Sequence, residues 1–103
     1  GKEDVNMNKQ EKVVKLLIKK GYTISFAESC TGGKAAAAIV DVADASKVLN
    51  ASFVTYANEA KERFAHVSKE TLEKHGAVSE ETAYEMASGV AKTAGANVGV
   101  GIT

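Results

Sequence analysis

The run Ala27-Glu28-Ser29-Cys30-Thr31-Gly32-Gly33 puts a carboxylate, a hydroxyl and a thiol into one turn between a predicted strand and a predicted helix. Ser29 and Cys30 are both candidate nucleophiles. A serine hydroxyl attacks only when a base takes its proton, whereas a thiolate at a helix N-terminus is intrinsically more reactive. Adjacent side chains in such a turn point different ways, so only one of the two faces the cleft. The positive end of the following helix would favour an anion there, either a bound phosphate or a developing oxyanion. Thr31 can donate to a phosphate or cap the helix, and Glu28 can orient a neighbouring lysine or hydrogen-bond a ribose. Gly32-Gly33 permits a tight turn. Neither GxGxxG nor GxxxxGK[ST] is present, so a dinucleotide fold is not supported.

The base for Ser29 has to come from elsewhere in the chain. His66 and His75 are the only imidazoles and both lie in charged helix or turn contexts, which makes a Ser-His-Asp triad weak. Lys61 is the better base. It falls one turn into the helix predicted after Tyr56-Ala57-Asn58, and a lysine in a partly desolvated cleft can have its pKa lowered enough to accept a proton. It is nevertheless one of twelve lysines, and spacing alone does not separate it from a solvated surface charge.

Alternating strands and helices must position these groups. Residues 1–7 are polar and aperiodic and read as a disordered lead-in, a tag remnant or a linker end; the domain proper is expected over residues 8–103. Asn8 with Glu11 three residues later resembles a capping box, and Val13, Leu16 and Leu17 with Lys20-Gly21 complete an amphipathic helix. Tyr22, Ile24 and Phe26 alternate with Thr23, Ser25 and Ala27 as a strand, and Lys34 to Val40 is an Ala-rich helix. After a polar connection from Asp41 to Lys47, the run from Ala51 to Tyr56 predicts a second strand, and Asn58 an N-cap for a short helix through Phe64. Ser68 caps another short helix that stops at His75-Gly76, where Gly suits a left-handed position. Ser79 starts the clearest helix, with an apolar stripe of Ala83, Met86, Ala87, Val90 and Ala94 before Gly95. Val98, Val100 and Ile102 alternate with Gly99, Gly101 and Thr103 as a last strand. The pattern argues for a layered α/β domain with helices on both faces of a mainly parallel sheet. Sites in such sheets gather at the carboxyl ends of strands, here Ala27 to Gly33 and Tyr56 to Lys61.

Composition narrows the partners. Thirteen basic and thirteen acidic residues cancel, which predicts neither nucleic-acid nor membrane binding. The apolar run Ala35 to Val40 is far too short to span a bilayer, and the residues at the N-terminus lack a signal-peptide core, so a cytoplasmic location is expected. One cysteine, two histidines and no CxxC pair offer no metal-ligand spacing and no internal disulfide, and no cofactor is expected.

At these residues the chain resembles the C-terminal domain of the competence-damage-inducible CinA family, whose stand-alone members are nicotinamide-nucleotide amidohydrolases. The resemblance runs through the Ala27–Gly33 segment, Val54-Thr55-Tyr56-Ala57-Asn58-Glu59-Ala60-Lys61, His75-Gly76-Ala77-Val78-Ser79-Glu80-Glu81-Thr82-Ala83 and Val98-Gly99-Val100-Gly101-Ile102-Thr103, and covers the chain from about Val13 onward. It implies a three-layer α/β/α sandwich and metal-independent hydrolysis of the carboxamide of nicotinamide mononucleotide to the acid and ammonia. Ser29 resembles the nucleophile, Lys61 the base, and Tyr56 the hydroxyl that assists proton transfer. Thr31, Gly32 and Gly33 fall where backbone donors would face the oxyanion or the substrate phosphate. Glu28, Thr31, Gly32, Gly33 and Asn58 are the expected substrate-binding set. Family members continue past the Gly-rich final strand into a glycine- and proline-rich loop that closes the pocket, then further strands and a helix with a substrate-binding arginine. This sequence has no proline and stops at Thr103. The C-terminal strands of the sheet are therefore expected to be missing, and the exposed edge to be covered in a homodimer or higher homo-oligomer. The competing reading is a non-catalytic module that binds a nucleotide or a protein without turnover.

Overall fold

A computed structural model describes residues 6–103, so the expectation for residues 1–7 falls almost wholly outside the described residues. Helix α1 (Lys9–Lys20) starts on the predicted capping box: Asn8 Oδ1 accepts the Glu11 N–H at 2.8 Å, and Gly21 closes the helix in the left-handed region. The buried positions of α1 are Val14 and Leu17. Val13 and Leu16, expected in the core stripe, are exposed, because the sheet beneath takes a narrower face than the sequence offers.

Strand β1 (Ile24–Glu28) is buried along its whole length, as befits the central strand of a parallel sheet covered on both faces. Helix α2 (Lys34–Val40) follows, and the predicted polar connection holds one turn of 3-10 helix at Ala45–Lys47. Strand β2 is only Phe53–Val54, shorter than the predicted run from Ala51 to Tyr56. Side chains replace the ladder at its start: Ser52 Oγ accepts the Phe26 N–H at 3.0 Å, and Ser25 Oγ donates to the Ala51 carbonyl at 2.7 Å. These two serine bonds between the segments stand where backbone ladder bonds would otherwise form.

Helices α3 (Asn58–Ala65), α4 (Lys69–His75) and α5 (Glu80–Ala94) lead to β3 (Val98–Ile102). The N-cap of α3 is Ala57, and Asn58 is its first helical residue rather than its cap. Ser68 and Ser79 cap α4 and α5 as predicted. Gly76 after α4 has φ 82° and ψ 166°, a positive φ outside the left-handed helical well. Glu85 of α5 accepts from Ser68 N–H and from the Thr71 hydroxyl, which fastens α4 to α5.

The three strands are parallel in the order β2-β1-β3. On one face α1 and α2 pack Val14, Leu17 and Ile39 against Ile24 and Phe26. On the other, α3 and α5 pack Ala65, Met86 and Val90 with Ala27 and Val67. The result is the expected three-layer α/β/α arrangement. Glycine lets α5 settle close: a Cβ at Gly99 would stand 1.9 Å from the Ala87 carbonyl oxygen, and one at Gly101 2.3 Å from that of Ala83. Register then sets Glu28, Val54 and Ile102 side by side at the carboxyl edge.

Candidate active site

Two ladders run one residue past that edge. The Ser29 N–H donates to the Ile102 carbonyl and the Thr55 N–H to the Glu28 carbonyl, both at 2.8 Å. These bonds hold the turn after β1 beside the turn after β2. Helix α3 begins at the second turn, and Lys61 sits on its face toward the sheet.

Lys61 is 1% exposed and Ser29 is 9% exposed, so the pair is buried. Lys61 Nζ lies 3.0 Å from Ser29 Oγ and 2.8 Å from each of the carbonyl oxygens of Thr55 and Tyr56. Its partners are thus one hydroxyl and two carbonyls. Burial pushes the ammonium pKa below its usual 10.5. A neutral amine fits the same geometry: two N–H bonds go to the two carbonyls, and the lone pair is left for the Ser29 proton. The buried lysine that spacing alone could not single out is therefore Lys61.

The structure separates the two candidate nucleophiles. Cys30 is exposed, while Ser29 turns inward to Lys61. The imidazoles play no part in this contact: His66 is exposed at the end of α3, and His75 stands 3.4 Å from Glu81.

The Glu28 carboxylate is engaged within its own chain. It is 1% exposed and does not bond to Lys61. Its Oε1 accepts the Thr31 hydroxyl at 2.5 Å and the Ala35 N–H at 2.9 Å, and its Oε2 accepts the Ala36 N–H at 2.9 Å. Burial works to raise its pKa, but the bonds from Thr31 and from the Ala36, Ala35 and Gly33 backbone outweigh it and hold the carboxyl below the usual 4.5. At the N-terminus of α2, where a bound phosphate or a developing oxyanion was expected, the chain's own Glu28 carboxylate accepts the Ala35 and Ala36 N–H groups. Thr31 faces inward to the same group rather than outward to a ligand.

The expected backbone donors are also redistributed. The Gly32 N–H closes the turn onto the Ser29 carbonyl at 3.1 Å, and Gly33 lies toward Glu28. Gly32 and Gly33 have φ of 61° and 105°, values open to glycine at little cost. Among the described residues of this turn, the N–H groups of Cys30 and Thr31 have no acceptor in the chain. Tyr56 reaches Lys61 through its carbonyl; its ring is 76% exposed and its hydroxyl makes no bond to the pair. Asn58 is exposed. Thr55 was missed from sequence. It supplies a carbonyl to Lys61, and its own buried Oγ1 has no hydrogen-bond partner in the chain. A carbonyl ligand carries no side-chain signature, so the only available signal was its place at the end of a parallel strand.

Among the described residues no group of three or more His, Cys, Asp or Glu side chains is placed to hold a metal ion. Among the described residues no helix is long and apolar enough to cross a membrane. A cleft of about 530 Å³ opens between the start of α1 and the loop after α2, with Asn8, Glu11, Ile18 and Asp41 on its walls, and none of the site residues borders it.

Comparison with known proteins decides the family. The sequence model of the CinA C-terminal domain matches residues 6–103. The chain belongs to the CinA C-terminal domain family. It is 60% identical over 94 residues to a CinA-like protein of Kosmotoga olearia, covering 91% of this chain and 23% of that one. A CinA-like protein of Fervidobacterium nodosum is 50% identical over 91 residues, covering 88% and 22%. Among solved structures, the competence damage-inducible protein A of Klebsiella pneumoniae superposes with a TM-score of 0.82 at 42% identity, covering 85% of this chain and 55% of that one. A CinA superfamily protein of Escherichia coli gives 0.82 at 40% identity, covering 84% and 51%. The chain thus spans about a quarter of the length of these curated relatives and about half that of the solved structures.

Proposed function

We propose that this CinA domain carries the catalytic half of a metal-independent serine amidohydrolase that cleaves the carboxamide of nicotinamide mononucleotide to nicotinic acid mononucleotide and ammonia. One observation carries the reading: a buried lysine with two carbonyl acceptors and a 3.0 Å contact to a serine hydroxyl. In this reading Lys61 works as a neutral amine. It takes the Ser29 proton as Oγ bonds to the amide carbon, then passes that proton to the nitrogen as ammonia leaves. Water attacks the acyl-Ser29 ester, loses its proton to Lys61, and the acid departs as Ser29 is restored. The unengaged N–H groups of Cys30 and Thr31 are the donors of this turn available to a developing oxyanion. The substrate phosphate binds elsewhere than at the N-terminus of α2, which Glu28 fills.

The second reading, a module that binds a nucleotide or a protein without turnover, is favoured by the exposure of Tyr56, whose hydroxyl makes no bond to the Ser29–Lys61 pair. Ammonia release separates the two. Nicotinamide mononucleotide is supplied to this chain and to a version extended past Thr103 with the corresponding segment of a solved relative, each beside its Lys61→Arg variant. Arginine keeps the charge but does not act as a base near neutral pH. Release that Lys61→Arg abolishes supports the amidohydrolase; binding with no ammonia from either version supports the module.

A further inference from the structure

The contacts of Glu28 divide the site into a reacting pair and a clamp. Glu28 and Ser29 are successive residues, and the Glu28 carbonyl is bonded to Thr55, whose own carbonyl holds Lys61. The Glu28 carboxylate then reaches forward along the chain to Thr31, Ala35 and Ala36. It closes a loop whose interior holds Ser29, the two positive-φ glycines and the first turn of α2. Gly32 and Gly33 adopt the positive φ that the turn needs, but glycine by itself does not hold a turn in one conformation. Helix α2 has no other N-cap: Gly33 offers no side chain, and no side-chain cap bond forms at that position. A carboxylate with three close donors, out of water, is a stiff tether, since each bond to a charged acceptor is stronger than a neutral one.

We infer that Glu28 is a positioning residue, which touches neither substrate nor Lys61 but fixes Ser29 Oγ within reach of Lys61 by clamping the turn to the first turn of α2. The inference rests on the Ser-Lys reading above. It also assigns Thr31 to the same clamp through its hydroxyl, a task that serine also performs and valine does not.

A small serine-directed fluorophosphonate tests this without any nucleotide-binding wall. The rate of modification of Ser29, located by peptide mass, is measured on the intact chain and on Glu28→Gln, Thr31→Val and Thr31→Ser, together with far-ultraviolet circular dichroism and the dependence of each rate on pH. Glutamine keeps the shape but sets an NH2 group against the backbone donors. A displacement of about 1 Å at a reacting group costs on the order of a hundredfold, so Glu28→Gln is expected to react about tenfold to a hundredfold more slowly. Thr31→Val should be slowed to a lesser extent, and Thr31→Ser, which restores the hydroxyl, should react faster than Thr31→Val. The midpoint of the pH curve, set by Lys61, should stay where it is in every variant. Folded Glu28→Gln reacting at the parent's rate overturns the clamp while leaving the Ser-Lys reading intact. If Glu28→Gln does not fold, the Thr31 pair decides: equal rates for valine and serine overturn the clamp. A parent whose Ser29 is not modified at all overturns the Ser-Lys reading and the clamp with it.

Discussion

Gly89→Ala is the substitution for which helix propensity and packing predict opposite signs. Gly89 lies in the interior of α5, where alanine is favoured over glycine by about 1 kcal/mol. A Cβ there, however, would stand 1.6 Å from the Ala65 carbonyl oxygen, 2.4 Å from its carbon and 3.0 Å from His66 Cβ. The obstacle is backbone at the end of α3, so no rotamer change relieves it. The helices must part by about 1.5 Å to restore ordinary contact at close-packed density. Overpacking of this kind costs about 3 kcal/mol at the upper end of its usual range, which leaves about 2 kcal/mol of net destabilisation after the propensity gain. For a domain of this size that lowers Tm by about 8–16 °C. The displaced helix carries Lys61, one turn before Ala65, so the 3.0 Å contact to Ser29 should open as well. A shift of that size costs on the order of a hundredfold in rate. Thermal unfolding followed by circular dichroism gives the first number and ammonia release the second. A Gly89→Ala chain as stable as the parent would refute the packing argument, and one that unfolds early yet reacts at the parent's rate would refute the link from α5 to the site.

Burial destabilises the charged form of Lys61, so kcat/KM for amide cleavage should rise with pH and level off below 10.5; a curve that levels only at or above that value contradicts a neutral Lys61 as base. The Glu28 carboxyl is held below 4.5, so the folded state binds its proton less readily than the unfolded chain; its contribution is complete above 4.5 and lost as pH falls through the lower folded value. Accordingly the difference in Tm between the parent and Glu28→Gln should be constant near neutrality and shrink in acid, and a gap that widens in acid would reverse the assignment.

Local signals carried α1, α4 and α5 because each of these has its own punctuation. Asn8 with Glu11, Ser68, and Ser79 with Gly95 are caps whose side chains or backbone freedom act within a few residues. The two strand ends that meet were also legible, since parallel strands in a layered α/β fold place their carboxyl ends together. What failed was decided across the sheet. Ser52 stands in for a backbone partner of Phe26, which shortened β2, and nothing near Ser52 in sequence announces it. Which side of α1 is buried depends on the sheet residues it meets, Ile24 and Phe26, which take Val14 and Leu17 and leave Val13 and Leu16 exposed. Within the site, Ser29 came from residue type and place, whereas Lys61 was set apart from the other lysines by the family resemblance. The task of Glu28 came from neither, because a carboxylate before a serine reads the same whether it binds a ligand or its own helix.

The central claim is that Ser29, not its neighbour, attacks under the control of Lys61. Ammonia release from nicotinamide mononucleotide by Ser29→Ala and Cys30→Ala tests it most directly, in the most active form of the chain. The geometry predicts no turnover for Ser29→Ala and most of the parent rate for Cys30→Ala, since the thiol is exposed and the hydroxyl faces the amine. A Cys30→Ala variant without activity, or a Ser29→Ala variant that retains it, would contradict the claim.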